Sequence, residues 1–206
     1  MVDNSKEYWD TIYTNEINRQ FSRIDIERWQ LILSQVGDKN KVLEFGCGVG
    51  EFIYWLAKQK PLCSFTGIDI SEVGINCSKE HMPNFKWIVG DNLLKENTGE
   101  KYNVIIAQHV YEHLTDEGAV QFIKDAYELL EEEGNLIIVL PINDTEWHEH
   151  EKIWQVEDVL KLCRGWKKDW QQLLLWRPMT AYKRDDGHND NDFEEALIYM
   201  KKRVKK

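Results

Sequence analysis

Residues 41–51 read Lys-Val-Leu-Glu-Phe-Gly-Cys-Gly-Val-Gly-Glu, and this stretch decides the fold. Its apolar first half predicts a short buried strand. Gly46, Gly48 and Gly50 follow at once, and the segment 52–58 then predicts a helix. A strand, a glycine-rich turn and a helix form the opening unit of a nucleotide-binding α/β domain. There the glycines allow a tight turn and let a ligand touch bare backbone.

The charges around this turn indicate which kind of ligand it binds. The dinucleotide fingerprint is G-x-G-x-x-G, whereas this chain has G-x-G-x-G and places Glu51 where the third glycine would fall. A carboxylate at a helix start suits the helix dipole but repels a pyrophosphate. Because Glu44 adds a second negative charge, the turn favours a ligand with cationic groups. A glycine-rich turn in some other α/β fold is the alternative.

The acidic-x-G-x-G-x-G pattern that begins at Glu44 resembles the first motif of the class I S-adenosylmethionine-dependent methyltransferases of the small-molecule type. The resemblance implies S-adenosyl-L-methionine as cofactor and S-adenosyl-L-homocysteine as product. That cofactor carries a sulfonium and an amino group and no phosphate, in agreement with the charges. The residues predicted to bind it are Trp9, Glu44, Gly46, Cys47, Gly48, Gly50, Asp69, Ile70, Gly90, Asp91, Asn92, Leu93, Gln108 and His109.

Two later strand ends extend the predicted site. The second predicted strand, 64–70, contains Asp69 about 20 residues beyond the glycines, a spacing at which NAD-binding proteins and methyltransferases both bind ribose hydroxyls. A solvated acidic residue at a strand end is the alternative. The third predicted strand, 85–89, precedes Gly90-Asp91-Asn92, which the resemblance places at the adenine, with Leu93 on the adenine face. Taken alone, Gly-Asp-Asn is a turn.

The catalytic candidates follow the fourth predicted strand, 102–107. Residues 108–114, Gln-His-Val-Tyr-Glu-His-Leu, resemble the v-x-E-H-l motif of small-molecule methyltransferases. His109 and His113 are the candidate bases, because a neutral imidazole can accept a hydroxyl proton near neutral pH. The alternatives are that His109 only lines the cleft and that His113 is structural or lies near the cofactor.

The substrate contacts are predicted from two segments. The Glu-Tyr-Trp-Asp stretch at 7–10 resembles an N-terminal cap that closes over the cofactor, although Tyr8 and Trp9 packing on the sheet is an equal alternative. The loop 141–151 follows the fifth predicted strand and is expected to face the cleft. The candidate substrate residues are Tyr8, Asn143, Trp147 and His148. No metal site is predicted, because the His-Glu-His run lacks a third ligand at a defining spacing.

Strands that alternate with helices from 41 to 140 predict a doubly wound α/β fold. Helices are expected on both faces, and the family resemblance implies a mostly parallel sheet of seven strands with an antiparallel final strand. A helix is expected over 116–133 with its cap at Gly134, then a strand over 135–140 that ends before Pro141. Two further strands are expected at about 166–175 and 179–184.

The domain prediction is a single unit of residues 1–206. It consists of an N-terminal helical cap (1–40), a Rossmann-like core (41–184), and a polar linker with a C-terminal helix or tail (185–206). The last helix is predicted from an apolar stripe formed by Phe193, Leu197 and Met200.

Composition narrows the function. The net charge of −10 makes nucleic acid an unlikely partner, and no apolar run is long enough to span a membrane. Four cysteines without C-x-x-C pairing indicate reduced thiols in a cytoplasmic protein. The expected assembly is a monomer or homodimer.

The predicted function is methyl transfer from S-adenosylmethionine to a small-molecule or saccharide acceptor, with a hydroxyl as the expected target. The alternatives are a non-catalytic cofactor-binding or partner subunit with this fold and, behind it, a NAD-dependent oxidoreductase.

Overall fold

A computed structural model describes residues 4–16, 23–96, 99–142, 153–165, 170–178 and 194–203. Within these residues seven strands form one sheet in the order β3-β2-β1-β4-β5-β7-β6. The strands are β1 (Lys41–Phe45), β2 (Ser64–Asp69), β3 (Lys86–Val89), β4 (Tyr102–Gln108), β5 (Leu130–Ile142), β6 (Trp170–Pro178) and β7 (Glu194–Lys202). The helices are α1 (Lys6–Glu16), α2 (Arg23–Leu33), α3 (Glu51–Gln59), α4 (Glu72–His81), α5 (Leu93–Glu96), α6 (Asp116–Leu129) and α7 (Val156–Gly165), with a 3₁₀ turn at Tyr111–His113.

β1 lies at the centre of the sheet and pairs in parallel with β2 on one side and β4 on the other. β5 continues the parallel order beyond β4. β7 runs antiparallel to both β5 and β6, so the other six strands share one direction. The predicted mostly parallel sheet with an antiparallel final strand is confirmed.

Apolar side chains bury both faces of the sheet, as a parallel sheet requires. Along β4, Ile105 packs into the cluster under α6, and Ile106 packs into the cluster under α2 and α3. Ile123 of α6 and Ile53 of α3 are fully buried on these opposite faces. Helices therefore cover both faces, which confirms the doubly wound arrangement.

The order in which successive strands are added to the sheet changes direction at the boundary between β1 and β4. β2 and β3 lie on one side of β1, while β4 and β5 lie on the other. In open α/β sheets, ligands bind beyond the carboxyl ends of the strands at such a switch point. The glycines after β1 and the residues after β4 meet there.

The helix predicted over 116–133 is wrong at its end. α6 ends at Leu129, and β5 begins at Leu130, which pairs with Tyr102. A register shift follows, and Glu133 has a left-handed φ of 60°. Gly134 therefore lies within the strand and does not cap a helix. The prediction failed here because the exposed run Glu131-Glu132-Glu133 is compatible with both a helix end and a strand.

The predicted strand end before Pro141 is also wrong. β5 continues through Pro141 to Ile142, where these residues pair with Glu195 and Glu194 of β7. The pairing of β5 with β4 already stops at Val139. Pro141 therefore has a single neighbouring strand, a position where a missing N–H is tolerated.

The predicted C-terminal helix or tail is wrong as well. Residues 194–202 form β7, which inserts between β5 and β6, so the sheet extends beyond the predicted core boundary at 184. The residues Ala196, Leu197, Ile198 and Met200 are all buried. Such a continuous apolar run fits a strand covered on both faces as well as a helical stripe.

Other predictions are met in part or lie outside the described residues. The strand expected at 166–175 overlaps β6, which begins at 170 and continues to 178. The strand expected at 179–184 and the linker at 185–192 lie outside the described residues. No helix in the described ranges is long and apolar enough to cross a bilayer.

Candidate functional site

The glycine loop after β1 depends on backbone that other residues rarely adopt. Gly46, Gly48 and Gly50 have φ angles of 73°, 53° and 78°. A Cβ on Gly46 would lie 2.0 Å from Cγ2 of Val110, so the segment after β4 packs directly on the loop. Cys47 is buried between the glycines. The three glycines thus permit a tight turn at the switch point with side chains packed closely against its backbone.

Asp69 ends β2 beside this loop, as predicted. Its buried carboxylate accepts hydrogen bonds from the backbone N–H of Gly48 at 2.7 Å and of Ser71 at 2.8 Å. Burial raises the pKa of Asp69 to about 6. Each oxygen has a second lone pair, so the carboxylate can still accept a ligand hydroxyl. Ile70 follows, half-buried.

Glu44 is a buried carboxyl with one oxygen unused. Its side chain on β1 is 3% exposed, and Oε1 accepts a hydrogen bond from Nε2 of Gln108 at 2.9 Å. Oε2 is buried and has no hydrogen-bond partner among the described residues. Burial raises the pKa of Glu44 to about 8. A buried acceptor without a donor fits a ligand that brings a cationic N–H group.

Helix α1 lies over the glycine loop. Its Asp10 carboxylate accepts hydrogen bonds from Oγ of Ser71 at 2.5 Å and from the backbone N–H of Val73 at 3.1 Å, which fixes α1 to the start of α4. A Cβ on Gly48 would meet the ring of Tyr13 at 3.0 Å. α1 therefore covers the carboxyl ends of β1 and β2.

The aromatic residue Trp9 of α1 reaches the segment after β4. The ring of Trp9 lies 5.3 Å from that of Tyr8 and 5.1 Å from that of His113, edge to face in both cases. The structure thus brings Tyr8, Trp9 and His113 together. The other predicted substrate residues, Asn143, Trp147 and His148, lie outside the described residues.

The segment after β3 matches its prediction only partly. The backbone N–H of Gly90 donates to the carbonyl of Asp69 at 2.9 Å, and Asp91 is exposed. Oδ1 of Asn92 accepts from the N–H of Lys95 at 2.8 Å and caps α5. Leu93, however, is 2% exposed and packs in the core, so it presents no surface to an adenine.

Two exposed apolar residues of this segment are Val89, at the end of β3, and Leu94 of α5. Sequence reasoning missed both of them. A four-residue helix that starts at Leu93 places adjacent side chains on different faces, and that short helix gave no periodic signal.

A network of charged residues adjoins Glu44 beyond the end of β4, in which Arg28, Glu112 and Glu195 are buried and His109 is half-buried. His109, with a left-handed φ of 52°, places Nε2 2.7 Å from Oε1 of Glu195 and Nδ1 3.5 Å from Oε1 of Glu112. Arg28 of α2 donates from Nη1 to Oε1 of Glu195 at 2.5 Å and from Nε to Oε1 of Gln108 at 3.2 Å. One network thus joins α2, the end of β4, the 3₁₀ turn and β7.

The electrostatic setting of His109 does not suit the predicted base. Burial lowers its pKa, but the carboxylates of Glu112 and Glu195 outweigh that effect and raise it to about 9. For the carboxyl of Glu195 the effects are reversed: burial raises its pKa, but His109 and Arg28 outweigh burial and lower the pKa to about 2. Near neutral pH His109 is therefore an imidazolium that donates from Nε2 to Glu195, and a protonated ring has no free lone pair for a hydroxyl proton.

Arg28 and Glu195 were missed by the sequence reasoning. Arg28 stands four residues before Ile32, so it shares the buried face of α2, and an arginine at that spacing was the available signal. Glu195 directly precedes the apolar run 196–200 and falls within the segment predicted as a C-terminal helix or tail. The two residues are 167 positions apart in the chain.

A cavity of about 290 Å³ lies elsewhere, between the later turns of α3 and residues 81–85 before β3. It shares no lining residue with the glycine loop. The chemistry-bearing side chains are at the opposite end of the strands.

The chain is similar in sequence to known methyltransferases. A family model described as a methyltransferase domain matches residues 18–189. An uncharacterized methyltransferase of Oceanobacillus iheyensis is 30% identical over 138 residues, 64% of this chain and 62% of that protein. The malonyl-acyl-carrier protein O-methyltransferase 1 of Ilyobacter polytropus is 26% identical over 164 residues, 78% of this chain and 60% of that protein. The chain thus spans less than two thirds of the length of these two relatives.

The structure of this chain is similar to a solved methyltransferase structure. The N-methyltransferase NodS from Bradyrhizobium japonicum, crystallised with S-adenosyl-L-homocysteine, has a TM-score of 0.75 and 18% identity to this chain. The match covers 98% of this chain and 100% of NodS. Likeness at this level of identity shows a shared fold.

Proposed function

Because this chain belongs to the methyltransferase-domain family, we propose that it transfers a methyl group from S-adenosylmethionine to a small-molecule acceptor. The family predicted from the glycine loop is thereby confirmed. The observation that carries the proposal is the pair of buried carboxyls, Glu44 and Asp69, on either side of a glycine loop at the switch point of the sheet.

The residues around the loop fit this cofactor. Glu44 offers a buried oxygen without a donor to the amino group, and Asp69 keeps lone pairs for ribose hydroxyls. Asp91 and the backbone of Asn92 remain the groups proposed for the adenine edge. When bound, S-adenosylmethionine supplies a methyl group on a sulfonium, which leaves as a neutral thioether. The protein then contributes mainly alignment and exclusion of water.

The acceptor is proposed to meet the methyl group between α1 and the segment after β4. Trp9 and His113 approach each other there, and α1 covers the strand ends. The proposed acceptor is a small molecule or a saccharide. A hydroxyl target needs a proton acceptor other than the imidazolium of His109, and half-buried His113 is the remaining candidate.

Ligand binding tests the proposal. Calorimetry and thermal shift with S-adenosylmethionine, S-adenosylhomocysteine and NADH compare the candidate cofactors directly. We expect both adenosyl ligands to bind and, at ~100 times Kd, to stabilise the fold by about 2.7 kcal/mol. Binding of NADH alone would overturn the proposal, as would the absence of any binding.

Two matched variants locate the site. Asp69→Asn removes the charge beside the loop and should weaken S-adenosylhomocysteine by at least about tenfold, because a charge-assisted hydrogen bond is lost. Asp38→Asn makes the same change in a side chain that is 77% exposed and pairs with Lys60, so its affinity should equal that of the wild type. Equal affinities in both variants would contradict the site assignment.

A further inference from the structure

We propose that Arg28 is a positioning residue that acts through Gln108 to orient Glu44 toward the amino-acid end of the cofactor. The inference rests on the proposed function and extends it to a residue that no sequence motif singled out. The partners of Arg28 include Gln108, His109 and Glu195, and of these Gln108 contacts Glu44, so we expect the effect of Arg28 on Glu44 to pass through Gln108.

Arg28 is held rigidly. Its side chain is buried, 8% exposed, and Nη1 donates to Oε1 of Glu195 at 2.5 Å. Nη1 also lies 3.1 Å from Nε2 of His109, which donates to the same carboxylate oxygen. Because a guanidinium is planar, fixing Nη1 also fixes the direction in which Nε donates. That direction leads to Oε1 of Gln108, 3.2 Å away.

The chemistry of its two neighbours determines how the Gln108 amide is turned. Arginine only donates, so the amide oxygen has to face Arg28. The amide nitrogen then faces Glu44, and Nε2 donates to Oε1 at 2.9 Å. Without the Arg28 donor, the amide is free to turn its oxygen toward Glu44, where it would accept a hydrogen bond from the protonated carboxyl and so favour the neutral form.

The orientation of Gln108 decides what Glu44 offers to a ligand. The hydrogen bond from Gln108 occupies Oε1 and leaves Oε2 buried without a partner. The same bond opposes the effect of burial, which raises the pKa of Glu44, and so favours the ionised form. An ionised carboxylate with one open oxygen is the partner that an ammonium group requires.

The inference predicts an effect that depends on the amino-acid part of the ligand. S-adenosylhomocysteine has the amino group, whereas 5′-methylthioadenosine carries the same adenosine without it. We expect Arg28→Met to weaken S-adenosylhomocysteine by about 10- to 100-fold and to leave 5′-methylthioadenosine within about twofold. A general loss of structure would weaken both ligands alike.

A conservative variant separates positioning from charge. Arg28→Lys keeps a cation for Glu195, but a lysine ammonium is a point charge without the rigid fork of arginine. This variant should retain more of the wild-type melting temperature than Arg28→Met, yet should show the same selective loss of S-adenosylhomocysteine. Arg164→Met, at an exposed position on α7, is the matched control and should change neither ligand.

A double variant tests the route through Gln108. Gln108→Leu alone should reproduce the selective loss, and the combination with Arg28→Lys should add little to it, because both changes interrupt one pathway. Additive losses, or equal losses of both ligands, would overturn the inference while the proposed function stands. Failure of the wild-type protein to bind S-adenosylhomocysteine would instead overturn the proposed function itself.

Discussion

At the scale of single residues, Gly46 shows how a missing side chain brings two segments together. Its φ of 73° is unfavourable for any residue with a Cβ, and Val110 occupies the space where that Cβ would be. The two constraints have different causes. Backbone strain belongs to Gly46 alone, whereas the steric contact belongs to the pair and disappears when Val110 becomes smaller.

Gly46→Ala should therefore lower the free energy of unfolding by about 2–4 kcal/mol, from left-handed backbone strain and overpacking together. In a Val110→Ala background, the added cost of Gly46→Ala should fall to about 1–2 kcal/mol, because only the backbone strain remains. Urea denaturation of the four proteins measures both values. The same added cost in both backgrounds would contradict this division.

Glu44 makes a second prediction at this scale. Burial raises its pKa to about 8, so in the free protein at pH 7 the carboxyl is mostly protonated. A cationic ligand favours the ionised form, and S-adenosylhomocysteine binding should then release protons. Calorimetry in buffers with different ionisation enthalpies measures this release. Glu44→Gln should reduce it, whereas Glu131→Gln, at an exposed position, should bind with the wild-type release.

At the scale of elements, β7 is the strand that joins the parallel part of the sheet to β6. Its register places Ile198 opposite Ile138 of β5 and Leu174 of β6, and Ile198 is fully buried. The strand is therefore part of the core, and it contributes more to the free energy of unfolding than a helix on the surface would.

Ile198→Ala should lower the free energy of unfolding by about 2–5 kcal/mol, as for other buried large-to-small substitutions. Val120→Ala removes apolar atoms from an exposed position on α6, 44% exposed, and should stay within about 0.5 kcal/mol of the wild type. Denaturant unfolding gives both numbers. Equal small effects would be the result expected of a peripheral helix and would contradict the assignment of β7.

The elements also show which parts of the fold local sequence can predict. β1 and β2 were predictable, because each is a short apolar run that ends at glycines or at a capped helix start, Ser71. β7 was not, since its apolar run 196–200 is compatible with either period. Only pairing with β5, which is distant in the chain, and with the preceding strand β6 decides between strand and helix.

At the scale of the whole molecule, the charged network links segments that are far apart in the sequence. Arg28 and Glu195 meet across 167 positions, and His109 connects them to the segment after β4. The predicted glycine loop, Asp69 and Gln108 follow local motifs, so their proximity could be anticipated. Apart from the nearby Glu112, the partners Arg28 and Glu195 of His109 come from α2 and β7, whose placement no local pattern specifies.

The network makes stability depend on pH. In the folded state the pKa of His109 is raised from 6.5 to about 9, so its contribution is fully present below pH 6.5 and is lost as the pH rises through 9. His109→Asn, in which asparagine tolerates the left-handed backbone, should therefore show a smaller loss of unfolding free energy between these two pH values. Urea unfolding at both ends of the window measures the difference, and identical pH slopes would contradict it.

The position of β7 also determines the order in which this protein is assembled during synthesis. The ribosome releases β6 before β7, yet in the described sheet β6 pairs with β7 alone. Until residues 194–202 have emerged, the nascent chain has a strand with two open edges next to an incomplete sheet, and such edges favour aggregation. Completion of the sheet therefore has to wait for the last of its strands, which inserts between two that were made earlier.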